Sequence, residues 1–542
     1  MTNIIFSRKE FEKHIKITPE IIERITLFGT PLESIDSQNL EIEVFPNRPD
    51  LISLEGFMRS FKKFIGKSDE KIEYLLKKPE QNYRVNVDSS VKNIRPFIAC
   101  AIIKRLNLTE EKLKDLINMQ EKLSITLGRN RKKMAIGIYP SDKMNFPINY
   151  KAKKPDEIKF IPLGTKNELS ANDILTIHQT GIKYESLLKG SEKYPILIDS
   201  KNEIISMPPI INSENIGRVD TNTQELFIEC TGTDKYTVEK TLIILATSLA
   251  ESGGTIHQVK ILDKEEYDSP QLAKQKTKLS LENVNKLLGI ELNETQVSNL
   301  LERMGHKYKK GIVETPPWRV DVLHEVDLIE DVAIAYGYDK FTPEMPNIST
   351  SGEESKQSII KRKLSEIMIG LGMLEISTYH LVKREEIEKY EIKDGLELLN
   401  SKNEYKYLRP NLFIPLLRVM SENKDSEYPQ KLFEIGRTFV KNNQKENDIE
   451  EKDNLIISIS PANATEIKKH LDYLFKMLGL EYSIKEKSIP HLVDGRTCSI
   501  FLDNKQIGYF GEVHPNVLAS NNIYMPVAIA EISIEEIYEH IN

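Results

Sequence analysis

The sequence predicts an α+β chain of several domains, and three observations carry that reading. The 542 residues exceed by several fold the roughly 150 that one core usually organises. Short runs of β character alternate with helical periodicity over much of the chain, and strand candidates gather toward its C-terminal part. The composition, 39% hydrophobic and 29% charged, is that of a globular protein able to bury real cores.

Four blocks follow one another, at about residues 1–85, 86–267, 268–343 and 350–542, with no short-period repeat. The first reads as an α/β domain. Its clearest element is a helix over Leu51–Ile65, opened by the turn-forming NRPD at Asn47–Asp50. Asp50 is expected to cap it, with Leu51, Leu54, Phe57, Met58, Phe61 and Ile65 on one face. The second block also mixes types: a helix over Glu110–Leu123 with Leu113, Leu116 and Ile117 inward, and an apolar helix over Val238–Leu249. Strands are expected at Ala135–Tyr139, Ile196–Ile198 and Leu226–Cys230. Pro208-Pro209 fixes an extended, rigid loop between them.

In the third block Ser280 caps a helix that ends at Gly289, and Asn293 with Gln296 forms a capping-box pattern for a second, which stops at Gly305. A charged hairpin turning near Gly311 follows, then a strand carrying Trp318 and Val320. Two helices and a hairpin predict a winged helix-turn-helix. The fourth block opens with a helix over Ser355–Leu371 and a strand over Leu374–Val382. Further strands at Lys431–Val440, Leu455–Ile459, Ser499–Leu502, Ile507–Glu512 and Val527–Ile534 make a mostly antiparallel sheet with helices.

A net charge of −7 and a pI near 6.0 give no global basic field. Local basic runs remain, at Arg129, Arg131, Lys132 and Lys133 and at Lys361, Arg362 and Lys363, readable as solvated faces or as RNA-binding stripes. Cys100, Cys230 and Cys498 lack paired spacing, which points to reduced thiols rather than disulfides or zinc. No apolar run approaches the roughly 20 residues that span a bilayer, and the N-terminus has no signal-peptide core. A cytoplasmic protein without membrane contact is expected.

Asp327, Glu330 and Asp331 stand at i, i+3 and i+4, which places three carboxylates on one helix face. A turn can fold Asp321 back over the same face. Four crowded anions repel unless a cation neutralises them. All-oxygen donors select a hard ion, Mg²⁺ before zinc, although His324 leaves zinc a weaker alternative. The other reading is acids favoured at a helix N-terminus and paired with Arg319.

The wider string WRVDVLHEVDLIEDVAIAYGYD, from Trp318 to Asp339, resembles the metal-binding segment of the β subunits of phenylalanyl-tRNA synthetases of the archaeal and eukaryotic type. Strings in all four blocks share the resemblance, including NRPD followed by LISLEG. It implies that Asp321, Asp327, Glu330 and Asp331 are Mg²⁺ ligands near the contact with an α subunit, in a structural role. The stretch from Leu197 to Asp234 resembles the editing domain of these subunits, which hydrolyses tyrosine wrongly attached to tRNA(Phe). Its pocket would use Leu197, Ser206, Asn212 and Glu229, with Glu229 standing where archaeal relatives usually carry Asp. Tyrosine differs from phenylalanine by one hydroxyl, and a pocket that hydrogen-bonds that group can select strongly for it. With no Ser-His-Asp or Cys-His arrangement here, hydrolysis would rely on a positioned water.

The fourth block resembles a class II synthetase module in the strings at Leu408–Lys424, Lys431–Val440 and Gly508–Leu518. Arg409 and Glu434 look like remnants of its ATP site. The glycines at 508 and 511 lead into Glu512-Val-His-Pro and no γ-phosphate arginine, and neither a P-loop nor a GxGxxG string is present. The resemblance therefore implies a catalytically degenerate scaffold, with ATP-dependent attachment of phenylalanine carried out on the α subunit of an α₂β₂ heterotetramer that binds tRNA(Phe). A free-standing aminoacyl-tRNA deacylase and a purely structural scaffold subunit are the alternatives.

Overall fold

Buried and exposed side chains alternate along Asn39–Val44, the pattern of a strand with one covered face. It pairs antiparallel with Thr2–Ser7 on one side and Leu32–Ile35 on the other. The computed structural model that contains it describes residues 2–68, 72–80, 82–390, 392, 395–445 and 447–541. They fall into two units, Met1–Met345 and Pro346–Asn542.

In the first unit the three-stranded sheet packs on helix Leu54–Phe64, whose Phe57 ring lies 5.6 Å from Phe6 and 6.0 Å from Phe28. Ser53, not Asp50, caps this helix, accepting from the Gly56 amide at 3.0 Å. Asp50 sits instead in the short 3-10 helix Pro49–Leu51, buried and accepting from Nε and Nη2 of Arg48, each at 2.9 Å. A buried carboxylate with a bidentate arginine gains more than an exposed cap would give.

The next sheet has eleven strands. Its main path runs Ile211–Asn212, Ile204–Met207, Tyr194–Ile198, Ile148–Lys153, Arg84–Val87, Thr255–Leu262, Phe97–Lys104, Leu226–Gly232, Met134–Pro140. Helix Lys235–Glu251, buried through most of its length, packs on Phe97–Lys104 and Leu226–Gly232. Helix Glu110–Ile125 turns Leu116, Met119 and Leu123 inward. Ile117, expected inside, is 52% exposed because it lies one residue off that stripe.

Helices Leu281–Leu288 and Glu294–Arg303 follow the expected caps, with Gly289 at φ 66° and the Asn293–Gln296 box closed in both directions. Gln275–Lys278, Ile312–Thr315 and Lys307–Lys309 form a three-stranded sheet beside them, and helix Glu325–Tyr336 completes the group. Trp318–Val320 is irregular rather than a strand. Pro316-Pro317 removes two ladder donors, the Arg319 side chain turns into ion pairs, and Trp318 lies 4.1 Å beneath the Arg59 guanidinium.

The second unit is built on a seven-stranded sheet. Its order is Leu374–Glu375, Gln430–Lys441, Ile449–Ser460, Ala528–Ser533, Lys505–Val513, Leu492–Leu502, Ser483–Glu486. Every pairing is antiparallel except the first. Helices Lys356–Gly370 and Ala464–Leu478 cover it around Phe433, Leu455 and Ile457. The single strand expected over Leu374–Val382 is two, Leu374–Glu375 in this sheet and Leu381–Lys383 in a separate three-stranded one. Between them Thr378 turns aside to donate to Glu434 at 2.7 Å.

Candidate functional site

Register brings the four expected pocket residues together. Ser206 stands opposite Leu197 on one neighbouring strand and opposite Asn212 on the other. Glu229 lies on Leu226–Gly232, opposite Gly137. The link between the two halves is Tyr139, which sequence pattern alone marks only as the end of a strand. Its hydroxyl faces Glu229 Oε1 at 3.1 Å and Asn212 Oδ1 at 3.3 Å. Tyr139 and Leu197 share one buried cluster with Phe227 and Tyr150. The sheet therefore curls until strands from the two ends of its path meet at this hydroxyl.

The absence of a side chain at Gly137 makes that meeting possible. A Cβ there would stand 2.0 Å from the Tyr139 hydroxyl and 2.4 Å from Glu229 Oε1. Ser206 and Glu229 are both buried. Ser206 Oγ and Glu229 Oε2 have no hydrogen-bond partner among the described residues, a costly condition for buried polar atoms unless a ligand or water completes it. Burial pushes the Glu229 carboxyl up to about 7, against the Tyr139 hydrogen bond and the positive charge of Arg95. Burial and the facing Glu229 charge likewise raise the Tyr139 phenol well above its ordinary range.

A second residue without a role in the sequence reading braces the loop ahead of Asn212. Arg131, read there as part of a basic run, donates to the carbonyls of Pro209 at 3.0 Å and Ile210 at 2.8 Å, and lies 4.2 Å over the Tyr184 ring. It is committed to structure, whereas Arg129 and Lys132 on the same turn are less covered.

The carboxylate segment is organised around Arg319. Its guanidinium holds Asp321 in a bidentate pair at 2.8 and 2.7 Å, and reaches Asp331 at 2.7 Å. His306 Nε2 meets the same Asp331 oxygen at 2.6 Å. Burial pushes Asp331 up, but Arg319 and His306 outweigh it and hold the carboxyl well below its usual range. Burial keeps His306 below its ordinary value despite Asp331, and because an ionised carboxylate only accepts, it is the His306 Nε2–H that donates to Asp331. Asp327 Oδ2 accepts from the backbone of Leu323 at 2.7 Å and His324 at 2.8 Å, closing the helix N-terminus. Glu330 is exposed, its pKa raised by partial burial and then by the charges of Asp331, Asp327 and Asp321. Two acids thus lean on Arg319, one on the backbone and one on solvent. No group of three His, Cys, Asp or Glu is poised to hold a metal among the described residues.

In the second unit Arg409 donates to Glu434 Oε1 at 2.7 Å, to Thr378 Oγ1 at 2.7 Å and to the Arg437 carbonyl at 2.7 Å. Both charged residues are buried. Gly436 leaves room for them, since a Cβ there would lie 2.4 Å from the guanidinium. No helix among the described residues is long and apolar enough to cross a membrane.

Comparison with known proteins covers nearly the whole chain. The model of the phenylalanyl tRNA synthetase beta chain CLM domain matches residues 342–534, and that of the tRNA synthetase B5 domain matches residues 277–338. The phenylalanine–tRNA ligase beta subunit of Thermococcus sibiricus is 36% identical over 504 residues, 91% of this chain and 90% of the relative. That of Archaeoglobus fulgidus is 36% identical over 536 residues, 96% of this chain and 95% of the relative. Among solved structures, an N-terminal fragment of the phenylalanyl-tRNA synthetase beta subunit from Pyrococcus horikoshii is similar at 36% identity and a TM-score of 0.59, covering 62% of this chain and 99% of the fragment.

Proposed function

The chain belongs to the phenylalanine–tRNA ligase beta-subunit family, and on that premise we propose that it pairs with an α subunit in an α₂β₂ ligase, where it removes tyrosine wrongly attached to tRNA(Phe). The observation that carries the editing reading is the gathering of buried Ser206 and Glu229 with half-buried Asn212 around one hydroxyl, with two polar atoms left unpaired. A phenolic hydroxyl suits those atoms: Glu229 accepts its proton and Ser206 Oγ donates to its oxygen. Phenylalanine would leave both unpaired, and a pocket built to pair a hydroxyl rejects the analogue that lacks it. Leu197 supplies apolar wall. Hydrolysis then needs a water whose oxygen attacks the ester carbonyl. The bond to the ribose oxygen breaks, that oxygen takes a proton from the water, and tyrosine and the free tRNA end depart.

Attachment of phenylalanine belongs to the α subunit in this reading. Arg409, the residue best placed to serve ATP, is spent on Glu434 and Thr378, which supports a scaffold role for Pro346–Asn542. Asp321, Asp327, Glu330 and Asp331 would hold Mg²⁺ as a structural clamp. Their donors are all oxygen, which suits a hard cation, although Asp321 and Asp331 pair with Arg319 and Asp327 with the backbone. When bound, the ion supplies charge neutralisation.

The test is co-expression with the cognate α subunit, followed by assays of phenylalanine attachment and of Tyr-tRNA(Phe) deacylation. A complex that performs both is expected. A chain that deacylates alone and does not support attachment points to a free-standing deacylase, and attachment without deacylation points to a scaffold.

A further inference from the structure

The reading of Ser206 to Glu229 as a pocket for a tyrosyl group leaves Tyr139 at its centre without a part. Its hydroxyl carries one proton but faces two acceptors, Glu229 Oε1 at 3.1 Å and Asn212 Oδ1 at 3.3 Å. The charged acceptor takes the proton. Turning the Asn212 amide about its last bond then offers an N–H to the Tyr139 oxygen. The result is a chain in which Asn212 donates to Tyr139 and Tyr139 donates to Glu229. It occupies Oε1 and leaves Oε2, with Ser206 Oγ, as buried atoms lacking a partner. Gly137 keeps the chain intact, since any side chain there strikes both Tyr139 and Glu229.

We propose that Tyr139 is a positioning residue for tyrosine discrimination: its hydroxyl holds Glu229 Oε1, so that Oε2 and Ser206 Oγ are presented to the hydroxyl of a tyrosyl ester. This rests on the deacylation reading above. The electrostatics of the site agree with it. Around Glu229 stand Arg95, which binds Thr231 at 3.2 Å, together with Cys100, Cys230 and Tyr150 from the surrounding strands. Burial keeps both thiols and the Tyr150 phenol neutral. Arg95 is therefore the cation among them, and hydrogen bonds from Tyr139 and then Thr231 are the remaining influences that favour an ionised, proton-accepting Glu229. Without the Tyr139 hydroxyl the acid keeps its proton to higher pH and loses its acceptor character toward substrate.

The experiment compares wild type with Tyr139→Phe, each as the full chain with its α subunit. It measures kcat/KM for hydrolysis of Tyr-tRNA(Phe) and Phe-tRNA(Phe) between about pH 5 and 9. The expected result is a roughly tenfold fall in the tyrosine-to-phenylalanine ratio. The acidic limb of the tyrosine profile should also move up by about one pH unit. In a Glu229→Gln background the same substitution should change the ratio no further. A Tyr139→Phe enzyme that keeps both ratio and limb overturns the role of Tyr139 while the deacylation reading stands. Equal loss on both esters shows a merely structural residue and also overturns it. A wild type that does not discriminate between the esters overturns the deacylation reading and this proposal with it.

Discussion

Tyr139 and Asn212 lie on the strands at opposite ends of the main path through the eleven-stranded sheet, yet their side chains meet at 3.3 Å. The pocket exists only while the sheet is curled shut. Arg131 is the brace on the Asn212 side, through its two bonds to the Pro209 and Ile210 carbonyls. Arg131→Ala should destabilise the first unit by about 2 kcal/mol, the scale of a hydrogen bond to a charged group. It should also speed backbone hydrogen exchange over Ile204–Asn212. Unchanged exchange there would remove Arg131 from the closure.

Glu229 carries a pH signature. Its carboxyl is raised from 4.5 to about 7 in the folded chain. Between those values the folded state binds more protons than the unfolded one, so stability falls as pH rises. The contribution of the neutral acid is whole below 4.5, declines through about 7, and the penalty is constant above that. Glu229→Gln should therefore unfold at higher denaturant than wild type at pH 8, by about 3 kcal/mol, and lose that advantage near pH 4. An advantage independent of pH would show that burial does not raise the Glu229 carboxyl.

In the second unit, Arg409→Met strands the Glu434 charge in a buried place. A loss of about 3 to 5 kcal/mol is expected, read by denaturant unfolding. Adding Glu434→Gln should restore most of it, because the uncompensated charge goes with the acid. A double variant as unstable as the single one would mean that packing, rather than charge, is what Arg409 supplies.

Mg²⁺ binding at the carboxylate segment would stabilise the folded chain by mass action, about 2.7 kcal/mol at a hundredfold excess over Kd. Titrating Mg²⁺ should raise the unfolding temperature of wild type. Asp327→Asn combined with Glu330→Gln, which leaves the Arg319 pairs intact, should abolish most of the rise. A response equal in both proteins would place the ion elsewhere.

Much of the local structure was legible in the residues. Caps such as Ser280 and the Asn293–Gln296 box act within a few positions, and they form as written. Apolar runs such as Leu226–Cys230 fall inside real strands. What was lost depends on how the chain turns its side chains toward one another in the folded state. Asp50 reads as a helix cap until Arg48 folds over it. The stretch Leu374–Val382 reads as one strand until Glu434 draws Thr378 out of line. The clustering of Asp327, Glu330 and Asp331 follows from helical spacing, and pairing of these acids with Arg319 is one of the two readings the residues offer; the bidentate form of the Arg319–Asp321 pair depends on the turn of the irregular segment. Tyr139 was invisible as a site residue because nothing near it in sequence announces the closing of the sheet. The one local signal is Gly137, a glycine inside a strand and two residues away on the same face.

Deacylation of Tyr-tRNA(Phe) by the complex, with wild type beside Asn212→Ala and Glu229→Ala, tests the editing site most directly. Each substitution removes a group that pairs in the buried cluster. A loss of tenfold or more in tyrosine hydrolysis is expected, on the order of one charged hydrogen bond, with phenylalanine attachment unchanged. Deacylation that proceeds at the wild-type rate in both variants would contradict the assignment.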